Sequence, residues 1–379
     1  MMNQNETNQR IAILDSFRFI AISFVILYHF YPPKILYSLN PQIYNYQDGY
    51  SFLDYGYFGV HFFFIISGFV IASTLHKTNT LLIFLKKRLI RLIPSMFVCS
   101  FLTYVFCLAF DSDNLFPRSH SFSNFLFSTS FVSPLIIEND FFRYIGLKLN
   151  YVNGSYWSLW PEIQFYALAS IIYYYDSKKF FSKFAIVATV IAIIHLLISS
   201  DIIFSFLNIS RNSRIMATLS KLDIVFNLST YIPWFLAGIC FYQLKFKLNP
   251  KASIIFLVVS ILFIVNTANN LNALFIIIAM ISIFLIFVFN PKFLSILENR
   301  FFVSLGMSSY TLYLIHSNIG LVLLHNYSHF FGKLSPIFPI LIIVTFFYFS
   351  LIIFKYIEKP IANYFRKSTN EELKKNQML

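Results

Sequence analysis

The sequence predicts an all-α, polytopic membrane protein of about ten transmembrane helices with both termini in the cytoplasm, and three observations predict it. Hydrophobic residues make up 58% of the 379 residues, charged residues only 12%, and mean hydropathy is +0.67, more than a soluble domain tolerates. A window of about 19 residues, the length needed to span the hydrocarbon core, finds ten apolar segments. Lys and Arg alternate in density between successive loops, as the positive-inside rule requires of a multi-pass chain.

The ten segments fall at 11–31, 58–75, 92–110, 156–175, 184–199, 224–244, 252–265, 271–289, 301–324 and 337–353. The first is interrupted by Asp15 and Arg18 and is followed by no small-residue cleavage site, so it reads as a signal-anchor helix rather than a cleaved signal. Between the third and fourth lies a long outward loop, 111–155. Its semi-apolar piece 123–137 is too short to span and reads as interfacial or re-entrant, suited to roofing a cavity. The polar run 266–270 allows only a tight hairpin, which makes the seventh and eighth segments antiparallel neighbours. Residues 1–367 form the transmembrane domain, and 368–379 read as a solvated cytoplasmic tail.

Of the 29 Lys and Arg residues, 20 belong to the N-terminus, the alternate loops 77–91, 178–183, 245–251 and 292–300, and the tail from Lys355. Eight belong to the other loops, and Arg18 is the remainder. The net charge of +13 is therefore a topology signal, and no nucleic-acid partner is expected. Cys99, Cys107 and Cys240 all lie in predicted helices, which supports neither a disulfide framework nor a zinc site. Only ten glycines are present, with no GxxxxGK and no GxGxxG, so nothing cradles ATP or a dinucleotide.

Two polar residues in the first span point to function. Arg18 and His29 are eleven steps apart, about 1,100° at 100° per residue, which puts them on one helix face roughly 16 Å apart along the axis. Ionisable groups inside a span usually serve substrate or ion movement.

Several motifs accompany that pair in order. They are Leu14-Asp15-Ser16-Phe17-Arg18-Phe19 through Tyr28-His29-Phe30, Gly59-Val60-His61-Phe62-Phe63-Phe64 leading to Ser67-Gly68-Phe69, and Lys87-Arg88 through Arg91-Leu92-Ile93-Pro94. Further on come Asn153-Gly154-Ser155-Tyr156-Trp157-Ser158-Leu159 with Glu162, Phe165 and Tyr166, then Leu305-Gly306 through Ser309-Tyr310-Thr311-Leu312-Tyr313-Leu314-Ile315-His316, and a closing Glu358-Lys359-Pro360. Together they resemble, nearly end to end, the acyltransferase family 3 membrane proteins, which O-acetylate surface polysaccharides, lipopolysaccharide O-antigens, peptidoglycan and some antibiotics. The family commonly has Asp after the Gly-Val of the second helix, where this chain has His61. Imidazole exchanges hydrogen bonds near neutral pH and supplies no fixed negative charge.

The resemblance implies an O-acetyltransferase of the bacterial inner membrane. It would move an acetyl group from cytoplasmic acetyl-CoA to a hydroxyl of a surface or exported carbohydrate, with no permanently bound cofactor, no metal, and the lipid bilayer as its surroundings. His29, near the outer end of its helix, is the expected general base, since a neutral imidazole takes a hydroxyl proton for a gain of typically 10²–10⁴-fold. Arg18, permanently charged, suits positioning of the donor, and Glu162 completes the catalytic set. Arg88 and Arg91 are the expected acyl-CoA phosphate ligands, with Lys86 and Lys87 read as positive-inside anchors. His61, Ser67, Trp157, Tyr310 and His316 are expected around them. Direct transfer and passage through an acyl-imidazole at His29 use the same residue. Another acyl donor, a lipid or small-molecule acceptor, and a non-enzymatic glycan transporter are the other readings.

Overall fold

The computed structural model describes residues 11–31, 53–137, 148–200 and 214–365. Among these, all regular structure is helical, as it must be where lipid offers no partner to a backbone polar group. Ten longer helices follow in chain order: α1 Ala12–Phe30, α2 Phe58–Leu75, α3 Leu81–Phe110, α4 Leu159–Tyr175, α5 Phe180–Ser199, α6 Leu228–Lys245, α7 Pro250–Val265, α8 Leu271–Phe289, α9 Ser309–Tyr327 and α10 Phe338–Ile353. The expected tail 368–379 and the residues before 11 lie outside the described residues.

Fewer of these helices than ten are long and apolar enough to cross a membrane. Six stretches qualify, α1, α2, α3, Ser177–Ser199, α8 and Ser309–Phe365, and a seventh counts if Thr218–Val225 and Leu228–Lys245, bent by 42°, form one span. The reason is length: α4 has 17 residues and α7 has 16, about 24–26 Å at 1.5 Å per residue against a hydrocarbon core of about 30 Å. The expected span 301–324 is also divided, into Arg300–Met307 and α9, at Ser308.

The expected loop 77–91 is largely helix. Thr80 accepts the Ile83 N–H at 3.3 Å and starts α3 at Leu81, eleven residues before the expected start, and the helix runs for 30 residues through Pro94. Lys86, Lys87, Arg88 and Arg91 therefore share one rigid element. The lysine and arginine stems carry their charges to a polar level while the backbone stays helical. The expected interfacial piece 123–137 contains two short helices, Phe122–Ser128 and Pro134–Ile137. It is tied to the chain before α4 by Asn150 N–H to Asn124 Oδ1 at 2.9 Å and Val152 N–H to Ser128 Oγ at 2.8 Å.

The core is built around α2, α6 and α9, whose residues are mostly buried. α2 and α6 cross where Gly68 faces Gly238. A Cβ on either glycine would run into the other helix's backbone, at the Phe235 or the Ile65 carbonyl. Small residues permit such close helix packing in a membrane, where van der Waals contact drives association. Large apolar side chains such as Leu108, Ile171, Leu262, Phe275 and Val344 are exposed at the periphery, the surface expected against lipid rather than water.

Candidate active site

Glu162 stands in the first turn of α4, a helix that starts deep in the molecule. The preceding segment turns inward because α9 holds it. Asn153 Nδ2 and the Tyr156 hydroxyl both donate to the Leu314 carbonyl, at 3.2 and 3.0 Å, and Asn318 Nδ2 donates to the Val152 carbonyl at 3.1 Å. The Ser158 and Tyr313 hydroxyls lie 2.7 Å apart. Glu162 consequently meets the middle of α2, where Ser67 Oγ donates to its Oε1 at 3.0 Å, and the Tyr166 hydroxyl one turn on donates to the same oxygen.

Opposite it is Arg88, only 7% exposed. Its guanidinium lies 5.4 Å from the Phe84 ring and 5.7 Å from the Tyr166 ring, and its Nε is buried with no hydrogen-bond partner. Arg88 and Glu162 line one narrow inner cavity of about 70 Å³, together with Arg18, Arg91, Ser67 and Tyr313. No ion pair joins the two, so the carboxylate faces the buried guanidinium across the cavity without contacting it.

A larger cavity of about 540 Å³ joins it, within the range of ligand sites. Arg18, Val70, Arg91, Ser309 and Tyr310 belong to both walls. The larger cavity lies at the level of the α2–α3 turn, with Lys77, Lys87, Phe246, Glu358 and Lys359 on its wall. Arg18 Nη1 donates to Asp15 Oδ1 at 2.5 Å, one turn earlier on α1, and Asp15 is 2% exposed. The i, i+3 spacing was the sequence signal for that pair. Glu358 accepts the Thr311 hydroxyl from α9. Burial against the wall holds the Lys77 ammonium, beyond the end of α2, below the usual lysine range.

At the other end of α1, the His29 ring packs against the His316 ring with centroids 5.1 Å apart and planes at 58°. His316 is wholly buried, and its Nδ1 lies 2.7 Å from the Tyr313 carbonyl. That carbonyl accepts only, so Nδ1 carries the proton and donates, leaving Nε2 as a lone-pair acceptor. Nε2 is buried with no partner. The Tyr313 ring, on the inner-cavity wall, lies 5.5 Å from the His316 ring. Tyr313 thus stands between the inner-cavity wall and the His316–His29 pair.

The structure brings Arg18, Arg88, Arg91, Glu162, Ser67 and Tyr310 together around the two cavities, and His29 with His316 above them. It keeps His61 apart, with its ring 4.8 Å from Trp234 and 5.6 Å from Tyr231. Trp157 is 38% exposed and packs on Tyr231 at 5.5 Å. The sequence reading gave no site role to Asp15, Lys77, Tyr313, Glu358 or Lys359, although all but Lys77 lie in the quoted motifs.

Apolar helices of membrane-spanning length, two adjacent cavities lined by charged side chains and a packed imidazole pair describe a polytopic membrane protein with a polar interior. The chain belongs to the acyltransferase 3 family, whose acyltransferase-domain model matches residues 11–355. It is also similar to proteins of Staphylococcus aureus strains COL, MSSA476 and MRSA252, each named a putative O-acetyltransferase. Each is 27% identical over 327 residues, covering 80% of this chain and 49% of the relative, so the chain spans about half the length of these relatives. No solved structure matches it.

Proposed function

We propose that this acyltransferase moves an acetyl group from cytoplasmic acetyl-CoA to a hydroxyl of a cell-surface or exported carbohydrate, at a bacterial cytoplasmic membrane. The observation that carries the reading is the His29–His316 pair, in ring contact with Tyr313 on the inner-cavity wall, next to a cavity of about 540 Å³. The inner cavity, about 70 Å³, favours a short acyl group over a fatty chain. The name of the relatives, O-acetyltransferase, supports both acetyl and a hydroxyl acceptor.

The thioester enters from the larger cavity, its acyl end passing Arg18 and Arg91. The acceptor hydroxyl oxygen attacks the thioester carbonyl carbon while a histidine of the pair, His29, takes the hydroxyl proton. The C–O bond forms, the tetrahedral intermediate collapses with cleavage of the C–S bond, and the imidazolium returns its proton to the departing sulfur. The products are the acetyl ester and free CoA. Arg88 and Glu162 both line the narrow part, with Ser67 and Tyr166 holding the carboxylate.

Mass spectrometry of surface glycans tests this in a deletion strain complemented with the wild type or with His29→Ala at equal protein level. An acetyl increment found only with the wild type is the expected result. Equal acetylation by both would remove His29 from the mechanism. An increment with neither would favour another donor or acceptor, or transport without chemistry.

A further inference from the structure

A run of aromatic rings crosses the end of the bundle opposite Lys77, Lys178 and Lys245, which mark the other ends of α2, α4 and α6. From His29 it passes to Tyr28, Tyr57, His61, Tyr231 and Trp157, with successive centroids 5.4, 5.8, 6.0, 5.6 and 5.5 Å apart. Tyr28 and His29 close α1, Tyr57 and His61 open α2, Tyr231 lies in the first turn of α6, and Trp157 stands just before α4. The ring contacts therefore step from α1 to α2, from α2 to α6, and from α6 to the segment before α4. An interfacial belt sets Tyr and Trp on the lipid side of separate helices, whereas these rings occupy the seams between helices.

The protein itself does not use up what the rings offer. Trp157 is 38% exposed, and the other five rings are half-buried. Among the described residues, no hydrogen bond engages the hydroxyls of Tyr28, Tyr57 and Tyr231 or the Trp157 indole N–H. Elsewhere the same groups are bonded: Tyr156 and Tyr174 donate to the carbonyls of Leu314 and Thr78, and Trp160 Nε1 donates to that of Val225. No Lys, Arg, Asp or Glu belongs to the run, so its chemistry suits a neutral partner. Lipid chains require no polar tips, and side chains exposed at the periphery, such as Leu262 and Phe275, carry none. A pyranose has an apolar C–H face rimmed by hydroxyls. That matches rings whose faces are apolar and whose edges end in O–H or N–H.

We infer that these rings form a carbohydrate-binding groove in which successive sugars of the acceptor stack from Trp157 toward His29, so that one hydroxyl is delivered to the imidazole. The inference rests on the carbohydrate-acceptor reading above and names its subsite. His61 and Trp157, which lie apart from the two cavities, thereby gain a place beside the acceptor. Because the rings act in series, the groove reads chain length: binding strengthens with each sugar that gains a ring.

The test uses the full chain in lipid nanodiscs. The acceptor is the host's own surface polysaccharide, freed of O-acetyl groups with mild alkali and cut by partial acid hydrolysis into monosaccharides, trisaccharides and hexasaccharides. With saturating acetyl-CoA, the wild-type KM is expected to fall by about 10-fold or more from monosaccharide to hexasaccharide. Trp157→Ala should erase most of that gain with kcat kept within about twofold, the scale of losing one stacked ring. Trp157→Phe, which keeps a ring, should restore it. Tyr231→Leu probes the same groove at a second position and is expected to act as Trp157→Ala does, while Tyr348→Phe, at an exposed ring of α10, should change nothing. Saturation-transfer NMR on His29→Ala should carry magnetisation from protein aromatic protons to the sugar C–H face, and Trp157→Ala in that background should weaken it. A KM indifferent to chain length and to both ring variants, with acetyl transfer intact, would overturn the groove and leave the acetyltransferase reading standing. Sugars bound at the rings without any acetyl transfer would uphold the groove and overturn that reading. If no fragment is bound or acetylated, both fall.

Discussion

His29 on α1 and His316 on α9 pack ring against ring at 5.1 Å, and the Tyr313 carbonyl fixes which nitrogen of His316 carries the proton. The two imidazoles are thereby unequal. His316 presents a lone pair at Nε2 with its proton committed elsewhere, and His29, half-buried, is the one able to turn toward an incoming hydroxyl. Replacement of His29 by Ala is expected to abolish transfer. Replacement of His316 by Ala should lower kcat about 10- to 100-fold, since it removes the neighbour that orients the base and not the base itself. Single-turnover rates at saturating acetyl-CoA separate the two. Equal losses would show that the residues act as one unit.

Glu162 and Arg88 should behave as a coupled pair. Glu162→Gln removes the carboxylate that shares a cavity with the buried Arg88 guanidinium, and Arg88→Met removes the guanidinium. The double variant is expected to be more stable than the sum of the single losses by about 1–3 kcal/mol. Thermal unfolding of the four proteins in one detergent measures this. Strict additivity would mean that the charges do not compensate each other.

The width of the inner cavity sets acyl length. Acetyl-CoA and propionyl-CoA should be used, and kcat/KM should fall by more than about 100-fold for octanoyl-CoA, because overfilling a packed site costs several kcal/mol. Phe63, on the cavity wall, limits the space, so Phe63→Ala should extend use to butyryl-CoA. A wild type indifferent to chain length would contradict this view of the cavity.

The crossing of α2 and α6 leaves no space for a side chain at Gly68 or Gly238. Gly238→Val is expected to cost more than about 4 kcal/mol, because the obstruction is rigid backbone and not the end of a flexible chain. Loss of the monodisperse peak in size-exclusion chromatography would report it, with Gly154→Ala, where a Cβ meets nothing within 4 Å, as the tolerated comparison.

Much of this architecture was legible in the sequence because helices in lipid announce themselves by composition. The Arg18–His29 spacing was likewise visible from periodicity alone. The start of α3 was missed because Lys86, Lys87, Arg88 and Arg91 lower local hydropathy without breaking a helix. The contact of Glu162 with Ser67 has no local sequence signal, because the segment before α4 is held by hydrogen bonds from Asn153 and Tyr156 to a carbonyl on α9, far along the chain. Nothing local separates Lys87 from Lys86 or Lys359 from Lys355. Only the packing of α1, α3 and the last segment around one cavity does that.

α3 has 30 residues and carries Lys87, Arg88 and Arg91 near one end. Near the other end it packs on Pro117–His120 and Phe122–Ser128, and its Phe110 carbonyl accepts from Asn326 of α9. At about 45 Å it is a rod longer than the bilayer core is thick. Pro94, which has no N–H to give its helix, is the weakest point along it. Such a rod with one pivot is a lever. A displacement at its cationic arm and the posture of the segments on its far arm therefore become one mechanical variable.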